Sequence, residues 1–161
     1  GDNSTEIVVA SHVLEHLHPF NELPYVLKEV LRVLKPGGVF RAAIPDLMRL
    51  VDAYQAGDTV NALALAKSQR ELKATVGVSY AEMPAALKFS VIAFGNNSQA
   101  PYYDGHQWCG DFESLRWVLE RAGFADVVAV GLDESRFPGL RETLYTDVGA
   151  AEEIVVEAVK P

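Results

Sequence analysis

The apolar positions of the first 46 residues follow two different periods. A run of β-branched residues at 7–9 is too short for a buried helix, so it predicts a strand that is covered on both faces. Apolar residues then recur at three- and four-residue spacing from Leu23 to Leu34, which predicts a helix with Asn21 as its N-cap. The KPGG sequence at 35–38 should end this helix, and residues 39–44 should form the next strand. This order predicts a right-handed parallel crossover whose functional residues lie where the first strand ends.

The rest of the chain is predicted to add helices and then two strands. Residues 47–95 have the composition of a helical insert, with helices at 47–57, from 59 to about 73 and at 81–94. An aromatic loop, PYYDGHQWCG at 101–110, precedes a helix that should begin at the N-cap Asp111 and end at Gly123. Residues 124–130 and 154–159 have the composition of strands. No helix separates these two strands, so they should pair antiparallel at one edge of the sheet.

Size and composition indicate a single globular domain. The chain has 161 residues, 49% of them hydrophobic, which is enough to bury a sizeable core. Its net charge of −8 argues against a nucleic-acid partner or an anionic membrane surface, because phosphate binding depends on clustered lysine and arginine. A small-molecule or protein substrate fits this charge better. The single cysteine excludes an internal disulfide framework, and the absence of a long apolar run or an early basic-apolar segment predicts a cytoplasmic protein.

Several stretches resemble the class I S-adenosylmethionine-dependent methyltransferases, in the branch called methyltransferase type 11. ASHVLEHL at 10–17 and LKEVLRVLKPGGVFRAAIPDL at 27–47 are similar to the fourth strand, the following helix and the fifth strand of that family. The His-x-Trp segment at 106–108, DFESL at 111–115 and AGF at 122–124 resemble the family's C-terminal part. The resemblance implies an α/β domain over residues 1–161 with a partial Rossmann-like sheet. That sheet should be mainly parallel, with an antiparallel last strand.

The resemblance also implies S-adenosylmethionine as the methyl donor and a small molecule as the acceptor. In that family a glycine-rich turn after the first strand holds the cofactor's methionine part, and an acidic residue after the second strand holds the ribose. The sequence shows neither pattern, because its only glycine pair, at 37–38, follows a helix. We therefore expect the second half of the sheet, with weak or no cofactor binding by the chain alone. The insert at 47–95 is either the lid that sets substrate choice or structural cover.

Four residues are candidates for the cofactor and catalytic sites. Ser11 and His12 follow the first strand, at the edge where open α/β sheets bind ligands, and we expect them to contact the cofactor. His16 and His106 are candidate catalytic residues, because a neutral imidazole can accept a proton near pH 7. Each histidine could instead be a hydrogen-bonded structural residue.

The acceptor pocket is expected to involve the aromatic loop. Tyr103 and Trp108 offer apolar area with a polar handle, although the loop could simply be packed. Asp46, after the second strand, is either a polar contact at the ligand edge or, more in keeping with its position, the N-cap of the next helix. Cys109 has no base at a recognisable spacing, so we do not expect it to be a nucleophile.

Two other functions compete with methyl transfer. HVLEH at 12–16 matches the H-x-x-E-H zinc signature of the inverzincin peptidases. That signature needs a long helix with both imidazoles on one face, whereas here a strand-like run precedes it and Pro19 follows. No metal site is therefore predicted. The second alternative is a non-catalytic interaction module that keeps only the sheet.

The strand at 7–10 is expected to be a dimer contact. In the family that it resembles, this strand lies inside the sheet beside the first strand. Here it should expose an apolar edge that contains no lysine or proline to discourage pairing. The sequence therefore predicts a homodimer through this strand, unless residues 47–94 fold back over the edge.

Overall fold

The computed structural model describes residues 1–56, 83–94, 105–140 and 153–161. The strands in these ranges are β1 (Thr5–Ser11), β2 (Leu34–Pro45), β3 (Ala125–Val130) and β4 (Glu153–Val159). The helices are α1 (Leu23–Val33), α2 (Leu47–Gln55), α3 (Ala85–Phe94) and α4 (Phe112–Ala122). A single 3-10 turn, Leu14–His16, follows β1.

The described strands form one sheet in the order β1-β2-β4-β3. β1 and β2 are parallel, as expected for two strands joined by a crossover helix. β4 lies between β2 and β3 and runs antiparallel to both. The predicted α/β fold with an antiparallel last strand is confirmed, and so is the antiparallel pairing of the two last strands.

The main core lies between the sheet and helices α1 and α4. Alternate residues of β2 point toward these helices because side chains alternate across a strand. The Phe40 ring, for example, packs against that of Phe124 with 5.6 Å between the centroids. The buried residues of this core are Leu14, Leu23, Leu27, Leu34, Phe40, Ala42, Ile44, Leu115, Leu119, Phe124, Val127, Val156 and Ala158. Most of β2 and β4 is buried on both faces, which explains their nearly continuous apolar sequences.

The ends of α1 differ from the prediction. Glu22, not Asn21, occupies the N-cap position, and no side chain caps the helix there. The Glu22 carboxylate accepts instead from the backbone N–H of His18 at 2.9 Å, in the turn before the helix. At the other end the C-cap is Leu34 in an extended conformation, so β2 begins at Leu34 rather than at residue 39.

The two glycines at 37–38 therefore shape the start of β2 rather than cap α1. Gly37 has a φ of +76°, which favours glycine, and its N–H donates to the carbonyl of Lys160 at 2.9 Å. At Gly38 an added Cβ would lie 2.8 Å from the carbonyl oxygen of Lys35 and 3.0 Å from that of Glu6. The sequence places glycine here because two backbone segments approach closely.

The starts of α2 and α4 and the end of α4 agree with the prediction, whereas α3 begins at Ala85 rather than at residue 81, because the described residues Met83 and Pro84 precede the helix. Asp46 is the N-cap of α2, and Asp111 forms a capping box at the start of α4, which ends at Gly123 with a φ of +112°. The third predicted insert helix, at 81–94, corresponds to α3. The predicted end of the first at Gly57 and the helix from 59 to 73 lie outside the described residues. No helix in the described ranges is long and apolar enough to cross a membrane.

Candidate functional site

The chain turns sharply at His12, where β1 ends. The His12 N–H still donates to the carbonyl of Ala43 in β2 at 3.0 Å, but its φ of +52° lies in the left-handed region. Few residues other than glycine adopt this conformation. The bend leads the chain from the sheet into the 3-10 turn and buries the Glu15 side chain, of which 1% is exposed.

The His12 imidazole lies between two carboxylates. Its Nδ1 is 3.1 Å from Oε1 of Glu15, and its Nε2 is 2.9 Å from Oε1 of Glu153. The second contact lacks the alignment of a hydrogen bond, so we treat it as an ion pair. Burial alone would lower the pKa of His12, but the two carboxylates outweigh burial and raise it to about 9. The ring is thus a cation at neutral pH, held from both sides, and its expected contact with the cofactor stays a prediction.

His106 reaches the same place from the segment that precedes α4. The backbone N–H of His106 donates to the carbonyl of Phe94 at 2.9 Å, and the backbone N–H of Gln107 donates to the carbonyl of Glu15 at 2.7 Å. The His106 ring places Nδ1 3.0 Å from the carbonyl oxygen of Ala93. A carbonyl only accepts, so Nδ1 carries the proton and Nε2 keeps its lone pair. Burial, as the main cause, lowers the pKa of His106, which favours the neutral ring.

Glu15, His16 and His106 form a compact group that we call the Glu15 cluster. The His16 and His106 rings meet edge to face with 5.0 Å between their centroids. Oε1 of Glu15 lies 4.0 Å from Nε2 of His16. Oε2 of Glu15 is buried and has no hydrogen-bond partner in the part of the chain that the structure describes. One carboxylate and two imidazoles at this spacing could accept a proton from a bound molecule or hold a cation.

Trp108 and Cys109 serve mainly to position the segment around His106. The indole N–H of Trp108 donates to the carbonyl of Leu14 at 2.9 Å, which ties the segment to the 3-10 turn. The Cys109 thiol donates to the carbonyl of Ala93 at 2.7 Å. Burial, with a smaller contribution from Glu15, raises the pKa of Cys109 to about 11, so this residue stays a thiol rather than a nucleophilic thiolate.

The other candidates are placed as follows. Ser11 is the last residue of β1, pairs with Ala43 and is partly buried at the carboxyl end of the strand. Asp46 caps α2, because its side chain accepts from the N–H of Met48 at 2.9 Å. Tyr103 lies outside the described residues. The roles of Ser11 in cofactor binding and of Tyr103 and Trp108 in substrate binding stay predictions.

Two acidic residues of the site are absent from the predicted set. From the sequence, Glu15 enters only as part of the H-x-x-E-H match, and Glu153 is not among the candidates. Both are buried, with 1% and 7% of their surfaces exposed. A signal for Glu153 does exist in the sequence: Glu153 and Glu157 interrupt an apolar strand at positions that share one face. Buried carboxylates at such positions need cationic partners.

Comparisons with known proteins give the fold a name. Residues 1–42, which contain β1, α1 and much of β2, match a family model described as a methyltransferase domain. The crystal structure of the S-adenosylmethionine-dependent methyltransferase SibL in its apo form is similar over 100% of this chain and 32% of its own, at 15% identity and a TM-score of 0.52. The chain has a class I methyltransferase-like fold. A comparison with curated proteins gave no match.

A second solved structure is similar over nearly the whole chain. It is a possible exported protein from Bordetella parapertussis, matched over 99% of this chain and 40% of its own, at 13% identity and a TM-score of 0.50. The chain thus spans well under half the length of both structures. In the methyltransferase-like domain the Glu15 cluster lies beyond the carboxyl end of β1, where open α/β sheets bind their ligands.

Proposed function

We propose that this methyltransferase-like domain contributes the acceptor side of a methyl transfer from S-adenosylmethionine to a small molecule. One observation carries the proposal: His16 and His106, from distant parts of the sequence, meet at the ligand-binding edge of the sheet. An acceptor hydroxyl or amine must lose a proton when it is methylated, so a neutral imidazole at this edge has a direct use. The net charge of −8 disfavours nucleic acid as the acceptor, and the small molecule is what the resemblance to methyltransferases implies.

The described residues fit part of the cofactor. Carboxylates of Glu15, Asp46 and Glu153 lie toward the carboxyl ends of β1 and β2, and this negative charge suits the positive sulfonium. Ser11, at the end of β1, would face the donor. The glycine pair at 37–38 lies at the opposite end of these strands, beside Glu6, so it does not cradle the cofactor. When bound, S-adenosylmethionine supplies the electrophilic methyl group.

In this proposal His106 is the base. Its Nδ1–H is held by the carbonyl of Ala93, so Nε2 is the atom that accepts the acceptor's proton. The buried carboxylate of Glu15 stabilises the imidazolium that forms, and His16 limits how the acceptor can approach. Most of the rate would come from holding the two reactants in line, and the base would contribute about 10²–10⁴-fold.

A methyl-transfer assay tests the proposal. The natural protein that contains this sequence is incubated with methyl-labelled S-adenosylmethionine and a panel of small phenols, alcohols and amines. We expect a labelled product, a loss in kcat of about 10²–10⁴-fold for His106→Ala and a change within about twofold for His18→Ala. His18 is a matched control, because the only hydrogen bond described for its ring is a weak one from the N–H of Phe20 at 3.3 Å. Equal activity of His106→Ala and the unmodified protein would remove His106 from the mechanism.

A further inference from the structure

We propose that the Glu15 cluster binds one divalent transition-metal ion, with zinc as the best match. The potential ligand atoms of Glu15, His16 and His106 all lie within 4.8 Å of one another. Tetrahedral zinc with bonds of about 2.0–2.2 Å holds its ligand atoms about 3.4 Å apart. Small side-chain rotations would therefore close the three ligands on an ion.

The buried carboxylate is the first argument for a cation here. Glu15 is 1% exposed, and its Oε2 has no hydrogen-bond partner among the described residues. A carboxylate oxygen without a partner is costly to bury. Oε1 accepts from the His12 ring at 3.1 Å and lies 4.0 Å from Nε2 of His16, and a carboxylate oxygen with one hydrogen bond still has a lone pair for a metal. A metal ion held by this carboxylate and the two histidines would offset the cost of burying the carboxylate.

The groups around the three ligands are the second argument. A histidine that binds a metal usually donates its other ring N–H to a carbonyl or carboxylate, which fixes the tautomer and orients the ring. His106 does this through Nδ1, 3.0 Å from the carbonyl oxygen of Ala93. Glu15 is likewise held by His12, through Oε1 at 3.1 Å. Two of the three ligands thus have the outer contacts that are typical of a metal site.

The geometry differs from the zinc signature that the sequence suggested. That signature would use His12 and His16 on one helical face, whereas His12 is engaged by Glu15 and Glu153. The third ligand comes instead from His106, in the segment before α4. The prediction of no metal site rested on the missing helix, and a 3-10 turn with a distant loop needs no such helix to bring three ligands together.

Two imidazoles and one carboxylate favour zinc and its transition-metal neighbours over magnesium or calcium, which prefer oxygen ligands. Three protein ligands leave a fourth position for water or substrate. The His16 side chain is 40% exposed, so solvent reaches the cluster from that side. A metal ion on Nε2 of His106 would occupy the lone pair that the proposed base uses, so His106 acts as the base only in the metal-free protein. With the ion bound, an acceptor oxygen in the fourth position would lose its proton to solvent more readily, and the ion would be the activating group. Metal binding itself does not depend on that reaction.

Binding of Zn²⁺ and Co²⁺ to the purified 161-residue chain, without an affinity tag, tests the proposal. The chain is first treated with a chelator, and binding is measured by calorimetry and, for Co²⁺, by visible absorption. We expect one ion per chain, and a loss in affinity of at least about 100-fold for His16→Ala and for His106→Ala. His18→Ala should stay within about twofold. Circular dichroism confirms that each variant is folded, and the buried Glu15→Gln is compared only if it passes this check.

Thermal unfolding supplies a second readout. Saturating Zn²⁺ should raise the Tm of the unmodified chain and of His18→Ala, and it should leave the Tm of His106→Ala unchanged, because an ion that binds only the folded state stabilises it. No saturable binding by the unmodified chain would overturn the proposal. The proposal would also be overturned if His106→Ala bound the metal as tightly as the unmodified chain, or if His18→Ala lost as much metal affinity as His106→Ala. None of these measurements uses a methyl donor or acceptor, so their failure is separate from any failure of the proposed methyl transfer.

Discussion

Nη1 of Arg41 lies 2.6 Å from Oε1 of Glu157, and both side chains are fully buried. The two residues face each other across the antiparallel pair β2–β4. Arg41 also donates to the carbonyls of Leu132 and Glu134, each at 2.8 Å. The ion pair thus fastens the segment after β3 to the middle of the sheet.

Removal of one partner from this pair should destabilise the fold strongly. In Glu157→Ala the guanidinium of Arg41 would stay buried without a counter-ion, so we expect a loss of about 3–5 kcal/mol in the free energy of unfolding. The double variant Arg41→Met, Glu157→Leu should lose much less, because no charge stays buried. Urea denaturation of the three proteins measures the difference. A single variant within about 1 kcal/mol of the unmodified chain would show that the pair is not important for stability.

The sequence predicts local structure well, but it does not predict this ion pair. Period-2 and period-3.6 patterns give β1, α1, α4 and the strands near the end, because these elements bury one face or both. Arg41 and Glu157 are 116 residues apart, and their contact depends on the register between β2 and β4. Register is a tertiary property that no local pattern contains. The error at Asn21 has a similar cause, because Glu22 is engaged with the preceding turn.

The candidate site also has one part that the sequence predicts and one part that depends on tertiary structure. The end of β1 and its polar turn could be predicted, and the resemblance to methyltransferases pointed to the same edge. The meeting of His16 with His106 requires the segment before α4 to return to the 3-10 turn, through the bond from Gln107 to Glu15 and that from Trp108 to Leu14. Those bonds involve backbone carbonyls, which carry no sequence signal.

The Asp111 cap should make a measurable contribution to stability. The carboxylate accepts from the N–H of Ser114 at 2.8 Å, and the Ser114 hydroxyl accepts in turn from the N–H of Asp111. Asp111→Ala should cost about 1 kcal/mol in the free energy of unfolding, and Asp111→Asn, which can still accept, should cost less. Chemical denaturation at pH 7 measures both. Equal stability of Asp111→Ala and the unmodified chain would contradict the role of the cap.

The same cap should depend on pH. The backbone N–H of Ser114, followed by its side chain, lowers the pKa of Asp111 in the folded state. A lowered folded pKa gives stability that is present above the unfolded pKa of about 3.9 and is lost as the pH falls through the folded value. The stability advantage over Asp111→Asn should therefore shrink as the pH is lowered from about 5 to below 3. Thermal unfolding of both proteins across this range checks the trend. An advantage that is constant or grows toward acid would contradict it.

We propose that a second copy of the chain pairs with the outer edge of β1. Among the described strands β1 lies at the edge of the sheet, and Ile7 and Val9 are 42% and 36% exposed. Backbone N–H groups of successive residues in a strand point to opposite sides. The N–H of His12 donates to β2, so the N–H of Val9, three residues earlier, points away from β2 toward the open edge. Val9→Pro should remove an outward donor and yield a monomer, and Ile7→Lys should weaken pairing by charge.

Light scattering at about 100 μM, well above a micromolar Kd, tests the dimer. The unmodified chain should be a dimer, and so should the control Ala129→Lys, which places the same charge on an exposed position of the opposite edge strand β3. A monomeric unmodified chain with β1 amides protected from exchange would mean that another part of the chain covers this edge.

The 161-residue chain alone should bind S-adenosylmethionine weakly. The described residues offer carboxylates for the sulfonium, but their glycine pair lies at the other end of the strands. We expect a Kd above about 10 μM, which corresponds to roughly −7 kcal/mol. Calorimetry measures this value. A tighter Kd would show that the chain holds the cofactor through contacts other than those proposed here.

Hydrogen exchange of the natural protein that contains this sequence, with and without about 5 mM S-adenosylhomocysteine, shows whether the cofactor binds beyond the carboxyl end of β1, since that concentration occupies even a weak site. We predict slower exchange at residues 10–13 and 105–108, with no change along the exposed face of α4 around Trp117. Unchanged exchange at both segments, or slower exchange confined to other parts of the chain, would contradict this prediction.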